Sequence, residues 1–215
     1  MEHTRWDDFL VAEHEMIERA MAVLKNCLDD LEQAAAKPVQ MIRALDFLLE
    51  FGDKIHNRKE EDLLFPLMAQ KGIPVEGGPL GVMLMEHRAE RELLAAMAMQ
   101  AKTFRSATPA AREEYRRKGL DYLKIRAEHI WKENDVLYKM GQRVMTEEDN
   151  SALLAGFSKI DTETYGSTAR TKFRQMLKEV EESARVRTCL IDNLSYEQLH
   201  GIMEAMPFEV TFVDA

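Results

Sequence analysis

The chain has 215 residues, 46% hydrophobic and 31% charged, with a formal charge of −9, which suits a globular protein with a sizeable core. The acidic balance and the lack of a basic patch argue against nucleic acid, and no apolar run of about eighteen residues exists to cross a membrane. The opening MEHTRWDDFL lacks the apolar core of a secretory signal, and Cys27 and Cys189 make no disulfide framework, so a cytoplasmic location is expected.

Low Gly and Pro content and long alternations of Ala, Leu, Met, Glu and Arg predict helix. The first helix starts at Thr4 as N-cap with Asp7 three residues on, and its apolar stripe runs Leu10, His14, Ile17, Met21, Leu24, Leu28, Leu31. The second opens near Pro38, with Ile42, Leu45, Leu49, Gly52, His56, Glu60, Leu63 and Leu67 on one face. A Gly- and Pro-rich loop, QKGIPVEGGPLG, separates it from a third helix carrying Leu80, Leu84, His87, Arg91, Leu94, Ala98 and Ala101. Thr108 and Pro109 begin a fourth helix with Tyr115, Tyr122, Ile125, His129, Glu133, Val136 and Met140, and Gly141 reads as its end. Four long helices with short connections predict an all-α fold, an antiparallel four-helix bundle over residues 1–145.

Residues 146–190 predict accessory helices packed outside the bundle. One is capped by Thr146 with Asp149, and the other carries Phe173, Met176, Leu177 and Val180. Residues 191–215 predict a short linker helix and then a short terminal strand, FEVTFVDA. A lone strand needs a ladder partner. It pairs with a second chain, as in a homodimer, or it opens a domain that lies beyond these residues.

Of six histidines, His14, His56, His87 and His129 fall one per bundle helix, each on the apolar stripe, and two of them begin His-x-x-x-Glu, with Glu60 and Glu133. Any one alone reads as a core histidine with a backbone partner. Together, four imidazoles and two carboxylates converge on one axis, where burying unpaired carboxylates costs several kcal/mol each and the two repel. A pair of metal ions removes both penalties. Residues at i and i+4 share a helix face, so an imidazole can ligate one ion while the carboxylate bridges to the next. The nitrogen and oxygen donors suit iron, manganese or zinc, with redox-active iron the better fit.

The segments HEMI, HNRKEEDLLFP, GGPLGVMLMEHRAER and HIWKENDVLYKMG, in this order over residues 8–141, resemble the motifs of hemerythrin-like (HHE cation-binding) domains. The resemblance implies a four-helix bundle holding two non-haem iron ions with oxo or hydroxo and carboxylate bridges, with zinc or manganese as substitutes. It implies His14, His56, His87 and His129 as terminal ligands and Glu60 and Glu133 as bridges. Oxygen carriers of the family have His four residues after the third-helix His, where this chain has Arg91, and use Asp rather than Glu on the fourth helix. Both departures resemble the bacterial and iron-sensing branches. The implied partners are oxygen, nitric oxide or peroxide. One iron is expected to lose a histidine, replaced by water or by Glu90. Arg91 pairs with a bridging carboxylate, gates the open position or reaches out of the bundle.

LSYEQLHGIMEAMPFEVTFVDA resembles the junction to a PAS-type sensor domain, which implies a signalling role for the iron centre. The alternative is iron–sulfur cluster repair, or an enzyme consuming peroxide or nitric oxide. Repair-type relatives often carry a cysteine-containing N-terminal segment, and none precedes helix 1 here. Glu61 is expected on a solvated face, with an extra ligand as the alternative; Tyr122 is expected in the core, with a supporting contact to His129 as the alternative. The helix 3 methionines (Met83, Met85, Met97, Met99) are expected in the core and Cys27 away from the ligand layer.

Overall fold

The structure, a computed structural model, describes residues 4–31, 34 and 38–185, the last three by backbone only. The expected linker helix and strand of 191–215, with His3, Cys189 and His200, lie outside the described residues. The described residues are mostly helical and contain no strand. Four long helices build the bundle: α1 (Trp6–Asp29), α2 (residues 39–70), α3 (Pro79–Ala101) and α4 (residues 109–144). Two more follow, α5 (Glu147–Tyr165) and α6 (Ala169–Arg185). No helix among the described residues is long and apolar enough to cross a membrane.

Neighbouring bundle helices run antiparallel. At one end Gln142 of α4 donates to Asp7 of α1, and at the other Arg116 donates to the Leu28 carbonyl. Asp53 and Glu61 of α2 both meet Arg91 of α3, and Glu61 also meets His87. Glu86 and Glu90 of α3 meet Lys132 and Arg126 of α4 in the reverse order. The hairpin of α5 and α6 packs outside, with Phe173 against Phe51 and Arg19 paired with Glu181. Gly166 turns that hairpin at φ +74° and ψ −171°, a conformation essentially reserved for glycine.

The caps at Thr108 and Thr146 form as predicted, the latter with a reciprocal Asp149 bond. The Thr4 cap does not. The residue before α1 is Arg5, with no side-chain cap, and Asn150 of α5 accepts the Trp6 N–H at 2.8 Å instead. The hairpin thus supplies the acceptor that a local side chain was expected to give.

Helix α3 buries Leu80, Met83, His87, Glu90, Leu94, Met97 and Ala101, a strict alternation of three and four residues. Glu90 therefore faces inward where Arg91 was expected, Met83 and Met97 replace Leu84 and Ala98, and Met85 and Met99 are exposed rather than in the core. Helix α2 buries Leu48, Gly52, His56, Glu60, Leu64 and Met68, every fourth residue. In a regular α-helix such a row drifts by about 40° per step. The backbone corrects this by widening into π-helical turns over Leu48–Asn57 and Glu60–Leu64. The expected Leu49, Leu63 and Leu67 are consequently only partly buried. The same widening over Glu133–Leu137 turns Leu137 inward and leaves Val136 exposed. Gly141 does not end its helix. It lies inside Tyr138–Val144, where an added Cβ would come within 3.0 Å of Trp6 and 2.5 Å of Met68.

The core divides into two apolar clusters. One holds Leu10, Leu64, Met83 and Leu137, and the other Ile17, Phe51, Leu94 and Tyr122. Along every bundle helix the predicted histidines and glutamates fall between them.

Candidate metal centre

His14 comes from α1, His56 and Glu60 from α2, His87 from α3, and His129 and Glu133 from α4. All six are at most 1% exposed. The three π-helical stretches contain His56, Glu60 and Glu133, one each, so the backbone irregularity falls where the polar layer must face inward.

Each imidazole is held from behind. His14 Nδ1 lies 2.8 Å from Asn134 Oδ1, His56 Nδ1 3.0 Å from Glu13, His87 Nδ1 2.7 Å from Glu61, and His129 Nδ1 2.9 Å from Glu86. An acceptor at Nδ1 holds the ring proton there and leaves the Nε2 lone pair aimed at the bundle axis. Each carboxylate then touches one histidine from each half of the site. Glu60 Oε2 lies 3.5 Å from both His56 Nε2 and His87 Nε2. Glu133 lies 3.2 Å from His14 Nε2 through one oxygen and 3.0 Å from His129 Nε2 through the other.

These approaches are close but mostly misaligned. His14 Nε2, His56 Nε2, Glu60 Oε2 and both Glu133 oxygens are buried without a hydrogen bond. His87 Nε2 and His129 Nε2 face each other at 3.0 Å, where two lone pairs repel unless a proton or another cation intervenes. Two donor sets, His14–His56–Glu60–Glu133 and Glu60–His87–His129–Glu133, each have their ligand atoms within 4.8 Å of one another and could each hold a metal ion. They share both carboxylates. The orphaned donors fit such an occupant, because buried polar atoms are otherwise costly to leave unpaired.

Without metal, protons do the balancing. Burial and the facing Glu133 push the Glu60 carboxyl well above its usual range. Burial acts on Glu133 in the same sense, but the His129 and His14 imidazoles outweigh it and hold Glu133 well below. Burial would lower His129, yet Glu133 and Glu86 push it up to about 9. Burial and the neighbouring His14 hold His56 well below its usual value.

Glu61 is neither an extra donor of the two sets nor on a solvated face. It is partly buried and accepts from His87 and from Arg91 at 2.6 Å. Arg91 meets no bridging carboxylate. It pairs with Glu61 and with Asp53 at 2.5 Å. Glu90 does not approach the site as a donor either: Arg126, fully buried beside it, donates to Glu90 at 2.8 Å and to Asn57 at 2.9 Å. The two sets hold two histidines each, so the expected shortage at one ion becomes an even division. Tyr122 is core, as expected.

Sequence reasoning missed the supports. Tyr138 donates to Glu60 Oε1 at 2.6 Å and stacks on His14 at 5.7 Å between centroids. Lys59 is fully buried against Glu13. One signal was available: Glu13–His14 and Glu86–His87 are both Glu-His pairs, and in each the glutamate serves the histidine of the adjacent helix.

No curated protein and no solved structure matches the chain significantly. Residues 7–141, the four bundle helices with the whole His/Glu layer, match the hemerythrin HHE cation binding domain. The chain therefore belongs to the hemerythrin HHE cation binding domain family.

Proposed function

We propose that His14, His56, Glu60, His87, His129 and Glu133 hold two non-haem iron ions, and that this centre binds oxygen, nitric oxide or peroxide as a sensor of these species. The observation that carries the reading is the sharing of Glu60 and Glu133 between two His pairs. Two carboxylates that each reach both halves suit two adjacent cations better than one. When bound, iron supplies a reducible centre for small oxidising or π-acid ligands.

The chain's residues do the rest. Four protein donors would hold each ion, and with Arg91 turned away to Asp53 and Glu61 this set would leave the ion open to an external ligand. The apolar clusters on either side exclude bulk water. Glu13, Glu61, Glu86 and Asn134 hold the Nδ1 protons and orient the rings. Tyr138 O–H holds Glu60 Oε1, which keeps its other oxygen toward His56 and His87.

The test is anaerobic purification, metal analysis, and absorption spectra of the reduced protein before and after oxygen or nitric oxide. Two iron per chain and a ligand-dependent spectrum support the proposal. Iron that cannot be loaded, or a spectrum indifferent to both gases, refutes it. Sustained peroxide or nitric oxide turnover would move the assignment from sensor to enzyme.

A further inference from the structure

Three of the four Nδ1 acceptors are carboxylates, and each is also clamped by a cation: Glu61 by Arg91, Glu86 by Lys132 and Glu13 by Lys59. Arg91 and Lys132 are 36% and 32% exposed, so those two chains of contacts end in water. The third does not. Lys59 is fully buried, and its ammonium forms a second ion pair at 2.6 Å with Asp161 of α5, itself 3% exposed. The other Asp161 oxygen lies 3.7 Å from Arg170 at the start of α6. The Phe9 ring covers the assembly, 4.8 Å from the Lys59 ammonium and 4.1 Å from the Arg170 guanidinium. Asp161 and Arg170 lie beyond the residues 7–141 that match the family.

We infer that Asp161 is a positioning residue for the metal centre, acting through Lys59 and Glu13 on His56 and so coupling the α5–α6 hairpin to that centre. The inference rests on the proposed metal-binding role of His56. Lys59 divides its charge between two carboxylates. With Asp161 neutral, the ammonium acts on Glu13 alone, Glu13 becomes a weaker acceptor for the His56 Nδ1 proton, and His56 becomes a weaker metal donor. Coupling is reciprocal: whatever tightens His56 tightens the hairpin. A merely structural role accounts poorly for this trio, since buried charges of this kind are often matched or bettered in stability by apolar side chains of the same volume.

The test uses the full chain with Co(II), whose visible bands report ligand geometry, in wild type, Asp161→Asn and Asp161→Glu. Asp161→Asn should weaken one of the two sites by about tenfold and shift its bands, and Asp161→Glu should restore both in part. In wild type, metal should slow backbone hydrogen exchange across Glu147–Tyr165, and Asp161→Asn should abolish that slowing. The exchange measurement on wild type needs no variant to fold. Two wild-type Co(II) sites with identical affinity and bands in Asp161→Asn, or hairpin exchange unchanged by metal, overturn this inference alone. A wild-type chain that takes up no metal overturns the metal centre and the inference with it.

Discussion

Replacing each shared carboxylate by its amide separates their roles. In the metal-free chain burial and the facing Glu133 push the Glu60 carboxyl well above its usual range, which favours the uncharged acid, and it accepts from Tyr138. Glu60→Gln keeps that shape and that acceptor, and metal-free stability should change by less than about 1 kcal/mol. Glu133 is the ionised partner, 3.0 Å from a His129 whose pKa stands at about 9. Glu133→Gln leaves that buried cation under-compensated, and the loss should approach about 3 kcal/mol. With metal the two variants converge. A ligand at a hundred times its dissociation constant stabilises by about 2.7 kcal/mol per site, and either change removes a donor from both sets. Urea denaturation in chelator, and again with saturating Fe(II) under nitrogen, measures both quantities. If Glu60→Gln lost as much metal-free stability as Glu133→Gln, the assignment of the proton to Glu60 would be wrong. A full wild-type metal increment in either variant would show that the carboxylates are not shared.

Other consequences can be checked separately. His129 rises from 6.5 to about 9 on folding, so its contribution to metal-free stability is complete below pH 6.5 and disappears as pH rises through 9. Denaturation across this window should show that decline, while metal affinity rises as the competing proton leaves. Asp149 is lowered to about 2 by Lys71 and Thr146, so its contribution is present above pH 3.8 and lost as pH falls through 2. Asp149→Asn should flatten stability in that range, and an unchanged acid profile would count against the pair. Gly166→Ala should cost about 1–3 kcal/mol in thermal or chemical unfolding, because ψ −171° at φ +74° is open only to glycine. An unchanged midpoint would mean the turn relaxes freely.

The bundle and its His/Glu layer were legible because helical periodicity and one histidine per helix are local patterns. Helix registers were less so. Regular α-helical phase puts Leu49, Leu63 and Val136 inward, whereas the π-helical turns pass those places to Leu48, Leu64 and Leu137. On α3 the choice between Glu90 and Arg91 depended on Arg126, a buried cation contributed by another helix. The N-cap of α1 was missed for the same kind of reason, since its acceptor, Asn150, lies 144 residues away. Sequence spacing reveals which residues share a face. It does not reveal which charges from different helices neutralise one another, and the Nδ1 supports and the Lys59 ion pairs are of that kind.

The most direct test of the central claim is metal stoichiometry with the absorption spectrum, on protein loaded anaerobically with Fe(II) and then exposed to oxygen. The account predicts two iron per chain, an iron-dependent charge-transfer spectrum on oxidation, and its loss in Glu133→Gln. Two zinc with no iron uptake, or a single ion per chain, would contradict it.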